Sequence, residues 1–291
     1  MIHPPASADT PGPFGVDDLC ADLAELGIGP GDQVIVHVSL SSLGWVIGGG
    51  VALLRALVRA VGTRGCVVVP TFTTYLTDPA MWVHRGVPSH WHEKIRSALP
   101  GFDPNLHGTQ PGIGRFAEIV RTAPDAVRSR HPLYSFTAIG EGATALLADS
   151  PQDWTLGHRG PLGRLASAAG RVLAIGIPWW AKCTIFHLAE HMADYPGRMM
   201  YTFPGRVAGP DGDTWIHTHQ LVFHDGDFAA LGRDVGDLAV CGTVGAAPAA
   251  VLPAAAVADA AAAWLLGHRD LRGARFGRPY ENARPAPAGP L

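Results

Sequence analysis

Gln33-Val34-Ile35-Val36-His37-Val38 opens the run that decides the fold class. It continues through Ser39-Leu40-Ser41-Ser42-Leu43-Gly44-Trp45-Val46-Ile47-Gly48-Gly49-Gly50, Val51 to Val61 and Cys66-Val67-Val68-Val69-Pro70. The first segment is β-branched and nearly all apolar, as a strand buried on both faces must be. The middle is a Ser/Gly-rich turn. Val51 to Val61 repeats apolar residues at helical spacing, and Cys66–Pro70 is a second buried-type strand. Strand, helix and strand in that order make a βαβ unit, hence parallel strands under a covering helix. The expected class is α/β: a three-layer α/β/α arrangement around a central, largely parallel or mixed sheet.

Upstream, Val16 to Leu26 places Leu19, Leu23 and Leu26 on one helical face, and Gly27–Asp32 is a turn-rich exit. Residues 1–14 hold four prolines and read as a flexible lead. Downstream, residues 72–112 lack periodicity and are rich in Pro, Trp and His, so they read as a long substrate-site insertion. Arg115–Arg121 forms one or two helical turns, and Arg171–Ile177 is a third buried strand. Between 201 and 225 the pattern alternates, with Trp215, His217 and His219 on one side, which predicts antiparallel strands near an edge. Ala246–Leu266 is helical in part and packs on the sheet; Ala283–Leu291 reads as a mobile tail. A single domain over 15–282 is expected.

Composition narrows the function classes. The chain has 291 residues, 47% apolar and 16% charged, with a formal charge of −3. A substantial core is expected, and no basic footprint for nucleic acid is present. No apolar run approaches the roughly 20 residues of a membrane span, and the N-terminus has no signal-peptide pattern. Cys20, Cys66, Cys183 and Cys241 are scattered without a CxxC pair, against a disulfide scaffold or zinc ribbon. A cytoplasmic enzyme acting on a small molecule fits best, with oligomeric state left open.

The chemistry concentrates in Cys183–Gly197, a short helix that Thr184 can cap and Pro196-Gly197 stops. His187, Glu190, His191 and Asp194 fall on one side at spacings of three and four, while Leu188 and Met192 face the core. His187 suits a general base, since an unperturbed imidazole titrates near 6.5, and Glu190 or Asp194 can orient it. A solvated surface face is the alternative. The same residues spell His187-x-x-Glu190-His191, the inverted zinc-metallopeptidase pattern, which would need a third, later ligand that the Ala-rich remainder does not supply in a recognisable motif. The Ser39–Gly50 turn offers backbone N–H groups and hydroxyls to an anion, with a plain tight connection as the alternative. His217 and His219 alternate on a strand, where they could bind a metal, but core or edge packing is the first reading. His131, among Arg128 and Arg130, suits an anion-facing loop or a structural hydrogen bond.

Taken in order, nine segments resemble the aminoglycoside 3-N-acetyltransferase family. They are VHVSLSSLGWVIGG (36–49), VVPTFTTYLTDPAMW (68–82), FDPNL (102–106), GIGRFAEIVRT (112–122), RSRHPLYSF (128–136), GPLGRL (160–165), VLAIGI (172–177), FHLAEHMADYPGR (186–198) and VFHDGDF (222–228). The resemblance implies an α/β/α N-acetyltransferase that uses acetyl-CoA and no metal. It implies His187 as general base with Glu190 beside it. Ser39, Leu40, Ser41, Ser42, Leu43, Gly44, Thr71, Phe72, Gly112, Gly114 and Arg115 would hold CoA, with His131 and Ser135 nearby. A non-catalytic CoA-binding protein of the same fold is the further alternative.

The chain also departs from the family pattern. Tyr75 stands where members acting on aminoglycosides tend to have Asp. Pro178-Trp179-Trp180-Ala181-Lys182-Cys183 replaces a polar loop, and His191 stands in a Tyr place. These changes imply an acceptor pocket formed by Tyr75, Trp179, Trp180 and His191 that is more aromatic and less acidic. Asp78, Asp194 and Asp225 remain to meet an ammonium group. The expectation is that the chemistry is kept and the acceptor amine differs.

Overall fold

The computed structural model describes residues 9–82, 86–181, 183–274, 280 and 283–291. Most of the expected lead, Lys182 in the tryptophan loop, and positions 83–85 of the insertion lie outside the described residues. In chain order, α1 (Val16–Glu25) precedes the run that decided the class: β1 (Gln33–Val38), α2 (Gly49–Val61) and β2 (Cys66–Pro70). Then follow α3 (His92–Ala98), α4 (Arg115–Arg121), β3 (Val127–Arg128), β4 (Phe136–Ile139), α5 (Ala143–Leu147) and α6 (Pro161–Ser167). The remainder comprises β5 (Arg171–Ile175), α7 (Ile185–Met192), β6 (Met199–Val207), β7 (Thr214–Leu221) and α8 (Phe228–Asp234), then β8 (Val240–Val244), β9 (Ala247–Pro253), α9 (Ala254–His268) and β10 (Arg284–Pro285).

The main sheet has strand order β3-β4-β2-β1-β5-β9-β8. β1 runs parallel to both β2 and β5, with Gln33 opposite Cys66 and Val36 opposite Leu173. β4 and β9 flank this centre antiparallel, so the sheet is mixed. Side chains alternate across it. Val34, Val36, Val67, Val69, Leu173 and Ile175 face one core with α1, α2 and α4. Ile35, Cys66, Val68, Val172 and Ala174 face the other, with α5, α6, α7 and α9. Strands packed on both faces explain why β1 and β2 read as continuous apolar runs. Each fully buried Leu or Val, such as Leu53, Leu57 or Val34, contributes about 1.5–3 kcal/mol of transfer free energy.

Some expectations change. Residues 199–221 form antiparallel strands as expected, but in a separate three-stranded sheet, β10-β6-β7, not at an edge of the main one. The Ala-rich stretch opens as a strand, β9, before its helical part begins. β9 pairs with β5 from Arg171–Pro253 to Ile175–Ala249, and this pairing overrides the helix propensity of alanine until Pro253. The insertion carries α3, and short bridges tie Thr77 to Gly205 and Phe102 to Val207. Residues 11–14 are held by Trp45: Pro11 accepts its N–H at 2.8 Å. The segment expected to be a mobile tail pairs with β6 through Arg284 and Pro285, and Arg198 donates to the Gly289 carbonyl at 2.8 Å. Sequence periodicity does not carry such distant pairings.

Candidate active site

Because β1, β2 and β5 are parallel, their carboxyl ends open on the same edge of the sheet, where ligands bind in open α/β folds. A cavity of about 440 Å³ lies there. His37–Ser39, Pro70 and Phe72 form its sheet side, Gln110–Gly114 and Phe116 another, and Ile177, Thr184, His187, Asp225 and Phe228 the rest. Gly176 permits the close passage after β5: its φ is +66°, and a Cβ there would meet Ser42 Oγ at 2.7 Å. The turn it passes is self-bonded, with Ser42 Oγ 3.1 Å from Ser39 Oγ and 3.2 Å from the Gly176 carbonyl.

Helix α7 carries His187 to the cavity wall. It ends at Met192, short of Pro196-Gly197, so Asp194 falls outside it. His187 donates Nδ1–H to Glu190 Oε2 at 2.8 Å, one helical turn on, which leaves Nε2 for the cavity that His187 lines. Phe223 and Phe228 hold the ring at centroid distances of 4.6 and 5.5 Å. Glu190 is wholly buried, and its other oxygen accepts from Arg269 Nη1 at 2.5 Å and from the His224 N–H at 3.2 Å. Burial acts to raise the Glu190 pKa, but the hydrogen bond from His187 and the charge of Arg269 outweigh it and keep the carboxyl ionised below its ordinary range. Arg269 is itself clamped by Asp227 at 2.5 and 2.8 Å. The result is a relay Asp227–Arg269–Glu190–His187 that fixes the imidazole tautomer and can stabilise a proton arriving at Nε2.

A second histidine faces the same cavity. His37, at the end of β1, has Nε2 3.1 Å from Thr184 Oγ1. Thr184 therefore does not cap α7 with its side chain; its hydroxyl is turned to the cavity wall. Beyond Gln110 and Pro111, which line both spaces, lies a second cavity of about 720 Å³ walled by the insertion and by Tyr134, Phe203 and Tyr280.

The expected site residues divide. His187, Ser39, Phe72, Gly112, Gly114 and Asp225 line the first cavity, and Tyr75 lines the second while donating to the Gly108 carbonyl at 2.9 Å. Leu40, Ser41, Ser42, Leu43 and Gly44 sit in the adjacent turn and its exit, with Leu43 buried; Arg115 begins α4 just after the lining glycines. Thr71 and Ser135 are buried and bonded to each other, Thr71 Oγ1 to the Ser135 carbonyl at 3.1 Å, so they support Phe72 and do not line the cavity. His131 is structural. Its Nδ1 accepts from the Leu133 and Tyr134 N–H groups at 3.1 and 2.9 Å, and burial pushes its pKa down to about 4.

The acceptor-site expectations change most. Trp179 is buried against Phe186, and Trp180 packs on Gly232 of α8, so neither lines either cavity. His191 is wholly buried, donating Nδ1–H to the His187 carbonyl at 2.7 Å and facing Trp154 and Phe223. Such a ring does not converge with His187 on a metal, and among the described residues no three His, Cys, Asp or Glu side chains do so. Asp194 pairs with Arg198 at 3.3 Å and Asp78 with Arg96 at 2.6 Å, both outside the cavity linings. His37, Gln110, Asp227, His224 and Arg269 were not singled out from the sequence. VFHDGDF points to Asp227 and His224; nothing local marks Arg269, which lies 79 residues from Glu190.

Comparisons with known proteins converge on one family. A family model described as aminoglycoside 3-N-acetyltransferase matches residues 35–266. Aminoglycoside N(3)-acetyltransferase VII of Streptomyces paromomycinus is 36% identical over 269 residues, covering 87% of this chain and 92% of the relative. The solved YokD protein of Bacillus subtilis superposes with a TM-score of 0.83 at 32% identity, over 88% of this chain and 100% of that one. A structure of AAC-IIIb binary with CoASH superposes with a TM-score of 0.80 at 30% identity, over 89% and 98%.

Proposed function

The chain belongs to the aminoglycoside 3-N-acetyltransferase family, and as an N-acetyltransferase of that family we propose that it acetylates an amine of an aminoglycoside-like or other amino-bearing natural product, with His187 as general base. The observation that carries this reading is the buried relay that orients His187 toward the cavity at the strand ends. Acetyl-CoA supplies the acetyl group as a thioester. The cavity suits its thiol-bearing arm: Pro70, Phe72, Ile113 and Phe116 give an apolar wall, while Ser39 and the Gly112–Gly114 backbone give polar contacts at one side. Relatives include one solved with CoASH.

The amine nitrogen must lose a proton as it attacks the thioester carbonyl. His187 Nε2 accepts that proton, and Glu190, held ionised by Arg269, stabilises the imidazolium. When the carbon–sulfur bond breaks, the imidazolium returns its proton to the departing thiolate, so His187 is regenerated neutral. Each turnover thus consumes amine and thioester and releases amide and thiol.

His187→Ala tests the assignment. Acetyl transfer is expected to fall by at least about 100-fold, within the usual general-base contribution, while CoA binding by calorimetry is retained. Transfer within a few-fold of wild type would remove His187 from this role.

A further inference from the structure

The second cavity says what kind of amine is accepted. Its described lining contains no charged side chain: Tyr75, Trp82, Tyr134, Phe203 and Tyr280 give it aromatic walls, and Gln110 sits where it meets the reaction cavity. The nearest acidic candidate in the sequence, Asp78, is spent. It accepts from Arg96 Nε at 2.6 Å and Nη2 at 3.1 Å and caps the Ala80 N–H at 2.8 Å. The reaction cavity is different, because Asp225 lines it together with His187. Its carboxylate makes no ion pair with another described residue.

We infer, resting on the acyl-transfer reading above, that the acceptor is a monoamine with an uncharged, ring-bearing body. Its one nitrogen binds as an ammonium at Asp225 beside His187, releases one proton to solvent to become the free amine that attacks, and its body fills the aromatic cavity. Each further ammonium placed there would lose its hydration without a carboxylate to replace it, a cost of several kcal/mol per charge when unpaired. The aromatic walls instead reward ring faces and edges: Phe203 and Tyr280 stand edge-to-face at 6.0 Å, and Tyr134 and Phe203 at 6.3 Å. At about 720 Å³ the space falls in the range that holds drug-sized ligands. Gln110 is the hinge of this selectivity. Its Oε1 accepts from the Thr74 N–H at 3.0 Å and from the Thr74 hydroxyl, so an isosteric Glu keeps both bonds and adds one negative charge at the junction.

The test is acetyl-CoA-dependent thiol release with the purified chain and four probes: tryptamine, 4-nitrophenyl glucosaminide, kanamycin and gentamicin. The expected result is a kcat/KM for at least one monoamine tenfold or more above both polycations. Gln110→Glu is then expected to move the ratio toward kanamycin by about tenfold. Preferential turnover of kanamycin or gentamicin by the wild-type chain overturns the monoamine inference and leaves the acyl-transfer reading standing. A wild-type preference that Gln110→Glu does not move overturns the charge argument on which the inference rests. No amine-dependent release with any probe, while CoA binds, overturns the acyl-transfer reading and this inference with it.

Discussion

Glu190→Gln isolates the charge in the relay. The amide keeps an oxygen that can accept His187 Nδ1–H, so the 2.8 Å contact and the tautomer survive while the negative charge is lost. An imidazolium and a carboxylate with charge centres about 4 Å apart interact by about 4 kcal/mol at an effective dielectric near 20. Part of that returns through the retained hydrogen bond. The barrier to proton acceptance should therefore rise by about 2–4 kcal/mol, or roughly 30- to 1,000-fold in kcat. KM for acetyl-CoA should stay within about twofold, because Glu190 is buried behind His187 and lines neither cavity. A second consequence is structural. Removing one partner of a buried ion pair costs about 3–5 kcal/mol, and the loss should lie within that range: Arg269 keeps its two bonds to Asp227, but the new amide NH2 faces the Arg269 and His224 donors that Oε1 now satisfies. Steady-state thiol release at saturating substrates and urea unfolding read the two effects separately. A kcat within threefold of wild type in a folded variant would refute the relay.

Three further outcomes follow from the same contacts. His131 and His191 are wholly buried and each pushed down to about 4 by burial, so the unfolded chain binds more protons than the folded one between roughly pH 6.5 and 4. Stability should thus fall as pH drops through that window, by roughly 3 kcal/mol per histidine, and His191→Asn should flatten the dependence; an unchanged slope in urea titrations at pH 7 and 4.5 would contradict this. Arg198→Ala removes donors to the Ala193 and Gly289 carbonyls, both at 2.8 Å, and should expose residues 283–291 to limited proteolysis at least about tenfold faster; equal cleavage rates would show that the arginine does not hold the segment. Leu57→Ala, in the fully buried face of α2, should cost about 2–5 kcal/mol in chemical denaturation with KM unchanged below the transition.

The sequence by itself determined the layer that the site is built on. The βαβ run, the third buried strand and the chemistry-bearing helix were legible because their signals are local: a continuous apolar run marks a strand covered on both faces, and three- and four-residue spacing puts His187 and Glu190 in reach. Tertiary structure alone decided what surrounds them. Arg269 reaches Glu190 from the end of α9, across a separation that no periodicity encodes. Trp179 and Trp180, which look like a ligand-facing loop, turn inward because Phe186 and Gly232 offer them apolar surface. Ala247–Pro253 becomes a strand because β5 has an open edge to satisfy. His191 shares a helix face with His187 yet is buried against Trp154 and Phe223, so neighbours on a face did not become partners in a site. Local spacing sets which residues can meet; the packing of distant elements, each satisfying buried surface and hydrogen bonds, sets which of them do.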